Sequence, residues 1–259
     1  MEKVRLGGMA LQNGVLVHGP TSWAAAARRE DGSVAVASGV KRRFLPRIDL
    51  PVARGALRLA ESFALLPDVR RALPEARFAF ERPAVAVAVL SGSVLAAAGR
   101  KAPIGAFARE ALVAMASLAP AAIALRGGEL AGYHGAEHVS IGTYEQDGRQ
   151  AKKEHERCGS HLVGPLLATS AVAGAVAARA PKPLRGVARL AGTVGAVGTS
   201  IELFHWMGKH PESRIAKALA RPGHELQTRL STEDPSPEQL EVANAALQAC
   251  LEAELAATR

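Results

Sequence analysis

The chain has 259 residues, of which 48% are hydrophobic and only 4% aromatic, and its formal net charge is +8. The length allows one large domain or two small ones with a real core, and two cysteines are too few for a disulfide framework, which fits a reducing compartment. The basic charge indicates an anionic partner, and the scarcity of aromatic residues favours an acidic membrane surface over nucleic acid.

Residues 1–50 are predicted to form a small β-rich element. Short apolar runs at Leu11 and Val15–Val17 are separated by glycines, and Glu30-Asp31-Gly32 is typical of a hairpin turn between two further runs. We expect this antiparallel sheet to close the fold, and a direct role for Asn13 or His18 is the alternative. The first residues lack the apolar core of a signal peptide, so any membrane insertion is expected from internal segments.

Residues 51–82 are predicted to contain an amphipathic helix followed by a basic linker. Apolar residues recur on one face over 51–73, and Pro51 stands at the start, where its missing N–H costs nothing. Four arginines then lead towards the next segment, at positions 70, 71, 77 and 82.

Residues 83–208 are predicted to form a helical transmembrane core that carries the loop 132–160. Four apolar runs cover 83–98, 104–125, 161–178 and 187–206. Each run is close to the roughly 20 residues that a helix needs to cross a bilayer. The predicted fold class is therefore mainly α, a multi-pass α-helical membrane bundle with a small N-terminal antiparallel β element, α+β overall. Because alanine is only weakly lipophilic, buried helices of a soluble α domain are the alternative.

The distribution of basic residues predicts an orientation for such a bundle. Cytoplasmic segments carry an excess of lysine and arginine, and the first 82 residues and the loop at 132–160 are both rich in them. Four spans would place both segments and the C-terminus in the cytoplasm. Arg179, Lys182 and Arg185 would then lie on the far side and weaken the asymmetry. The expected location is the cell membrane, with the 132–160 loop facing the cytoplasm.

Residues 209–259 are predicted to be a polar segment followed by an amphipathic helix. Ser236 suits the N-cap of that helix, Pro237 its first position, and Gln239 can complete a capping box. Cys250 lies on the apolar stripe and is expected to be a packed core thiol.

The stretch 132–160 gathers the metal-capable side chains of the chain. His134, Glu137 and His138 form H-x-x-E-H, and residues four apart share one face of a helix, so both imidazoles could bind one ion. Glu137 beside that ion could act as general base on water. Gly132 and Gly135 lower helix propensity at this place, and a polar helix end at the membrane interface is the alternative.

Three more residues are candidate ligands of the same ion. His155 and Cys158 form H-x-x-C, which could complete a tetrahedral site or mark a simple turn. Glu202 is an acidic side chain inside an apolar run, where a charge is costly unless it is paired or functional. We expect it to be either a distant ligand or the partner of a basic residue such as Arg109 or Arg189.

Several strings resemble the YqhQ-like family, bacterial membrane proteins known as domain of unknown function 1385. The resemblance is carried by the YHGAEH string at 133–138, by His155 with Arg157-Cys158-Gly159, and by shorter matches near Gly7-Gly8, Arg54-Gly55, Glu202, Leu226-Gln227 and Gln239. The chain departs from the family pattern near the start, where it has Met9 and Asn13. The resemblance implies an integral membrane protein that depends on a metal ion.

The leading hypothesis is a membrane protein with a cytoplasm-facing metal site that hydrolyses an unidentified substrate. Its catalytic residue would be Glu137, and its metal ligands would come from His134, His138, His155, Cys158 and Glu202. The expected cofactor is a divalent metal ion, with zinc favoured, and the expected partner is the lipid bilayer, with no nucleic acid. A non-catalytic membrane scaffold with a structural His/Glu/Cys cluster is the second hypothesis, and a soluble basic module that binds nucleic acid is the third.

Overall fold

The computed structural model describes residues 3–41, 50–124 and 126–257, and helices dominate this part of the chain. The strands are β1 (Gly7–Leu11), β2 (Gly14–His18), β3 (Ser22–Arg28) and β4 (Val34–Val40). The helices are α1 (Ala53–Ala64), α2 (Leu66–Ala72), α3 (Pro83–Gly99), α4 (Ala106–Ala124), α5 (Gly128–Glu145), α6 (Val163–Ala178), α7 (Arg185–Lys209), α8 (Arg214–Leu226) and α9 (Pro237–Ala257).

The four strands form one antiparallel sheet in the order β1-β2-β3-β4, which confirms the predicted β element. Alternation along β2 sends Val15 and Val17 to one face and Leu16 to the other. Asn13, in the turn between β1 and β2, donates to the carbonyls of Arg28 and Glu75 and accepts from the backbone N–H of Arg77. These bonds give Asn13 a structural role in the turn.

Both faces of the sheet are covered, and we call the sheet together with α2, α5 and α9 the sheet domain. Helix α9 lies across β2, β3 and β4, while α5 packs on β1 and on α9. On the opposite face, Val69 of α2 and Leu65, which directly precedes α2, are buried in one cluster with Leu16 and Trp23 of the sheet. The sheet therefore holds α5 rigidly from one side, and α5 carries the candidate site.

The start of α9 follows the sequence prediction. The side chain of Gln239 accepts from the backbone N–H of Ser236 at 3.0 Å, and Ser236 Oγ accepts from the backbone N–H of Gln239 at 3.3 Å. At the other end, the buried carboxylate of Glu254 accepts from the backbone N–H groups of Thr21 and Ser22. Cys250 is fully buried in the core, as expected.

The amphipathic segment at 51–73 folds as two helices where the sequence predicted one. Helix α1 ends at Ala64 and α2 begins at Leu66, with Pro67 in its first turn. Proline has no N–H to continue the hydrogen bonds of α1 and fits best at a helix start. The break lets α1 pack on α7 while α2 packs on the sheet at β4.

Helices α3, α4, α6 and α7 pack side by side in that order, and we call them the bundle. Neighbours run antiparallel: Gly92 of α3 lies against Ala116 of α4, and the Thr169 hydroxyl of α6 donates to the carbonyl of Ala196 of α7. The short connections 100–105 and 179–184 therefore lie at one end of the bundle. The sheet domain and α8 lie at the other end.

The structure supports the membrane prediction for one helix and leaves the predicted number of spans untested. Among the described residues, one helix, Gly159–Ala178, is long and apolar enough to cross a membrane. A second candidate exists if Ala108–Ala124 and Gly128–Glu145 are counted as one span, but they meet at a bend of 90°. Helix α3 is apolar but shorter. The multi-pass arrangement thus stays a prediction, because alanine, glycine and a few charges dilute the other apolar runs.

Candidate metal centre

Helix α5 presents His134, Glu137 and His138 to the same region, although Gly132 and Gly135 flank the first of them. Glycine is required at these two positions because neighbouring groups occupy the space that a side chain would need. Gly132 lies against the side-chain amide of Gln239, and Gly135 lies against the backbone carbonyl of Glu233. The packing that the glycines permit is what fixes α5 beside the segment 231–235.

The two histidines are held with their Nε2 atoms free for a ligand. His134 Nδ1 lies 2.7 Å from the carbonyl oxygen of Ser231, and His138 Nδ1 lies 2.5 Å from that of Lys153. A carbonyl can only accept, so each Nδ1 carries a hydrogen, and the tautomer with this hydrogen has its lone pair on Nε2. This orientation by a backbone carbonyl is common for histidines that bind metal ions.

Cys158 completes a cluster with these two rings. Its Sγ lies 3.5 Å from His134 Nε2, and one ligand atom from each of His134, His138 and Cys158 falls within 4.8 Å of the others. Bonds of about 2.0–2.3 Å to a tetrahedral zinc ion place ligand atoms roughly 3.5 Å apart, so the cluster needs only a small contraction.

The chemistry of the three residues also fits a metal ion. His138 Nε2 is buried and has no hydrogen-bond partner in the described part of the chain, which is unusual for a buried polar atom. Burial lowers the pKa of His138 to about 2, so the ring is neutral at physiological pH. Burial raises the pKa of the Cys158 thiol, and a cation would exchange for its proton. Two imidazoles and a thiolate suit zinc.

Glu137 is next to the cluster but is not one of its three ligands. Its buried side chain packs against the backbone of β1 at Gly8, where any larger residue would overlap the carboxylate. Burial raises the pKa of the Glu137 carboxyl to about 8, and the nearby His134 opposes that rise. A carboxyl that titrates near neutral pH beside a metal ion is suited to take and return a proton.

The loop that carries Cys158 is fastened by the fully buried Gln227. Its side-chain oxygen accepts from the backbone N–H of His155 at 2.9 Å, and its amide nitrogen donates to Ser160 Oγ at 2.7 Å. Gln227 begins a π-helical turn that ends at Ser231, and the carbonyl of Ser231 orients His134. The same turn therefore positions two of the three cluster residues.

Replacing Gln227 with alanine is expected to lower zinc affinity by about 10- to 100-fold, the usual cost of losing an outer-shell partner. The loop at 155–160 would lose its anchor, and the cluster would lose its preformed geometry. Competition with a chromogenic chelator measures the affinity. Gln248→Ala removes an exposed glutamine of α9 and should leave the affinity unchanged. Equal affinities for both variants would contradict the anchoring role.

The structure does not bring His155 into the cluster. Its Nε2 lies 3.1 Å from a carboxylate oxygen of Glu145, and its Nδ1 accepts from the backbone N–H of Arg157. Its ring centroid is 5.6 Å from that of His138. Both ring nitrogens thus have partners, and the ring of His155 packs beside that of His138.

Glu202 also lies outside the cluster. Its carboxylate receives two hydrogen bonds from the guanidinium of Arg54, at 2.7 and 2.6 Å. Of the two alternatives drawn from the sequence, this geometry matches the ion pair, although the partner is neither Arg109 nor Arg189. Arg109 instead donates to the carbonyls of Ala102 and Ile104. The Arg54–Glu202 pair joins α1 to α7.

Sequence reasoning gave no role to Gln227, Ser231 or Lys153. Ser231 and Lys153 act through backbone carbonyls, which every residue has, so their side chains carried no signal. Gln227 belongs to the Leu226-Gln227 match with the YqhQ-like family, and that match was the available clue.

Residues 129–253 match the model of a family described as "Protein of unknown function (DUF1385)". The matched segment runs from α5 into α9 and contains the whole cluster, Glu137 and Gln227. It supports the family resemblance over that part of the chain. No curated protein and no solved structure matched the chain.

Proposed function

We propose that this protein is a multi-pass membrane protein with a metal-dependent hydrolytic site on the cytoplasmic side. The observation that carries the proposal is the cluster of His134, His138 and Cys158, in which a buried His138 Nε2 has no partner among the described residues. Three protein ligands leave a fourth position free, as in catalytic zinc sites. Glu137 directly precedes His138 on the same helix, and burial raises its pKa.

The outer surface of the bundle supports the membrane assignment. Large apolar side chains are exposed along all four helices, among them Val87, Leu90, Val94, Leu112, Met115, Val172, Val176, Leu190 and Val194. Exposed apolar side chains in this number are expected against lipid or a partner. The end with the sheet domain also has Arg149, Lys152, Lys153 and Arg157, which favours the cytoplasmic side for the site.

The residues of the site can each be given a task in hydrolysis. His134, His138 and Cys158 would hold the metal ion, which supplies a Lewis acid that activates water and polarises the substrate. Glu137 takes one proton from the attacking water as its oxygen bonds to the substrate's carbon or phosphorus. The bond to the leaving oxygen then breaks, and Glu137 returns the proton to that oxygen. The buried surroundings keep other water away.

Metal analysis of purified protein tests the proposal. Wild-type protein is expected to contain about one equivalent of zinc, and a His134→Ala/His138→Ala double variant close to none, because two of three ligands are gone. A His210→Ala variant, which alters an exposed histidine beyond α7, is the control and should keep its metal. Equal metal content in the wild type and the double variant would refute the site.

A second function is favoured by the placement of the ligands. His134 and His138 belong to the sheet domain, and Cys158 lies directly before the helix Gly159–Ala178 of the bundle. A metal ion there would tie the two parts together, as in a non-catalytic scaffold. That alternative predicts a protein that needs the metal for stability and works equally well with Glu137→Gln.

A further inference from the structure

The cluster lies where the bundle meets the sheet domain. Cys158 directly precedes Gly159, the first residue of the helix that is long and apolar enough to cross a membrane. The next residues, Ser160 and His161, pack against Gly223 of α8. If this helix spans the bilayer, the metal ligand Cys158 lies at the level of the lipid headgroups.

Cys158 is the least buried residue of the cluster. His134, Glu137 and His138 are buried, whereas Cys158 is partly exposed and has exposed neighbours in Arg157 and Gly159. A substrate therefore reaches the cluster beside the first turn of the candidate span, where the bilayer would supply molecules.

Guanidinium groups lie at this entrance. Arg157 is half exposed. The backbone N–H of Val4 donates to Tyr144 Oη and Lys3 Nζ donates to the carbonyl of Glu145, which places the segment that includes Arg5 beside Glu145. Glu145 pairs with Arg157 and also contacts His155. Glu156, the exposed neighbour of Arg157, adds a second carboxylate. A phosphate would therefore be held by the guanidinium groups themselves, which bind it in a bidentate manner, and not by an excess of positive charge.

Helix α8 is built like a helix that lies on a membrane surface. It packs on the first turns of α6 through Leu219 and Gly164, and it exposes the apolar side chain of Ile215. Arg214, Lys217 and Arg221 give the same helix three basic side chains, of which Lys217 pairs with Glu212. A basic amphipathic helix at this level attracts anionic lipid.

From these placements we propose that the site draws its substrate from the bilayer: a membrane lipid with an anionic phosphate headgroup, bound through Arg157 and Arg5 beside Cys158. This substrate class rests on the proposed function, because it takes the cluster as the reactive centre. The acyl chains would remain against the apolar surface of the bundle while the headgroup reaches the cluster.

Lipid retention measured by native mass spectrometry tests the proposal on protein purified in mild detergent. Phosphatidylglycerol is expected to be retained in preference to phosphatidylcholine, and glycerol 1-phosphate to compete weakly. Arg157→Gln and Arg5→Gln should each lower phosphatidylglycerol retention by about tenfold, the equivalent of one charge-assisted hydrogen bond. Arg179→Gln, at the opposite end of the bundle, is the matched control and should retain lipid as the wild type does.

The outcomes separate the lipid proposal from the metal site, because zinc is measured in the same samples. Any of three results would overturn the bilayer substrate and leave the metal site unaffected. These are equal retention of the two lipids, equal losses in Arg157→Gln and Arg179→Gln, or binding of glycerol 1-phosphate as strong as that of phosphatidylglycerol. A wild type without zinc that still prefers phosphatidylglycerol in an Arg157-dependent way would overturn the proposed hydrolytic function and support the headgroup site alone.

Discussion

Replacing Glu137 with glutamine is expected to lower hydrolysis by roughly 100- to 10,000-fold, the range for losing a general acid–base group, while the zinc content stays at the wild-type level. The glutamine side chain has the same shape and fits against Gly8, but it cannot take a proton from water. His134, His138 and Cys158 are untouched by the change, so the metal ligands remain in place.

The measurement is turnover of a panel of carboxylic and phosphoric esters in mixed micelles, with zinc determined on the same preparations. Glu129→Gln is the matched control, since Glu129 lies in the first turn of the same helix and is exposed. That variant should keep full activity. A Glu137→Gln protein as active as the wild type would favour the scaffold alternative, and one that loses its zinc would show that Glu137 holds the metal or the fold.

The pairing of His134 with His138 could be predicted from the sequence because it depends only on helical spacing. The strands, the capping box at Ser236 and the buried Cys250 were predictable for the same reason, since local pattern and turn chemistry determine them. Cys158 is different. Its approach to His134 depends on Gln227 and on how 146–157 folds back, and no spacing rule covers a contact between distant parts of the chain.

Glu202 and His155 show where residue type misleads. Glu202 is a partly exposed carboxylate paired with Arg54, and His155 is a histidine paired with Glu145. Both are residue types that bind metal ions, and only their partners in the structure show that they do not belong to the cluster. The orienting groups of the cluster are carbonyls of Ser231 and Lys153, which the sequence cannot mark. The candidate ligands of a metal site can thus be recognised in the sequence by residue type, whereas the backbone groups that orient them cannot.

Replacing Gly135 with alanine is expected to destabilise the protein by about 1–3 kcal/mol, although alanine is the better helix former. The new methyl group would overlap the carbonyl oxygen of Glu233, a backbone atom that cannot rotate away. Glu233 is also fixed by its N–H, which donates to the carbonyl of Ala131 at 3.0 Å. Helix α5 and the segment 231–235 must separate, so Ser231 would also release His134 and zinc affinity would fall.

Thermal unfolding and zinc affinity are measured together on three glycine-to-alanine variants, at positions 135, 132 and 208. The comparison decides whether the contact between Gly135 and Glu233 has the expected effect. Gly208→Ala lies in a helix with nothing within 4 Å of the new methyl group, so it should be neutral or stabilising by up to about 1 kcal/mol. In Gly132→Ala the three atoms nearest the new methyl group belong to the side chain of Gln239, which can move more easily than backbone, so this variant should fall between the two. If Gly135→Ala behaves like Gly208→Ala, then α5 does not need this close approach. If stability falls while zinc affinity is kept, the Ser231 carbonyl is not what aims His134 at the metal.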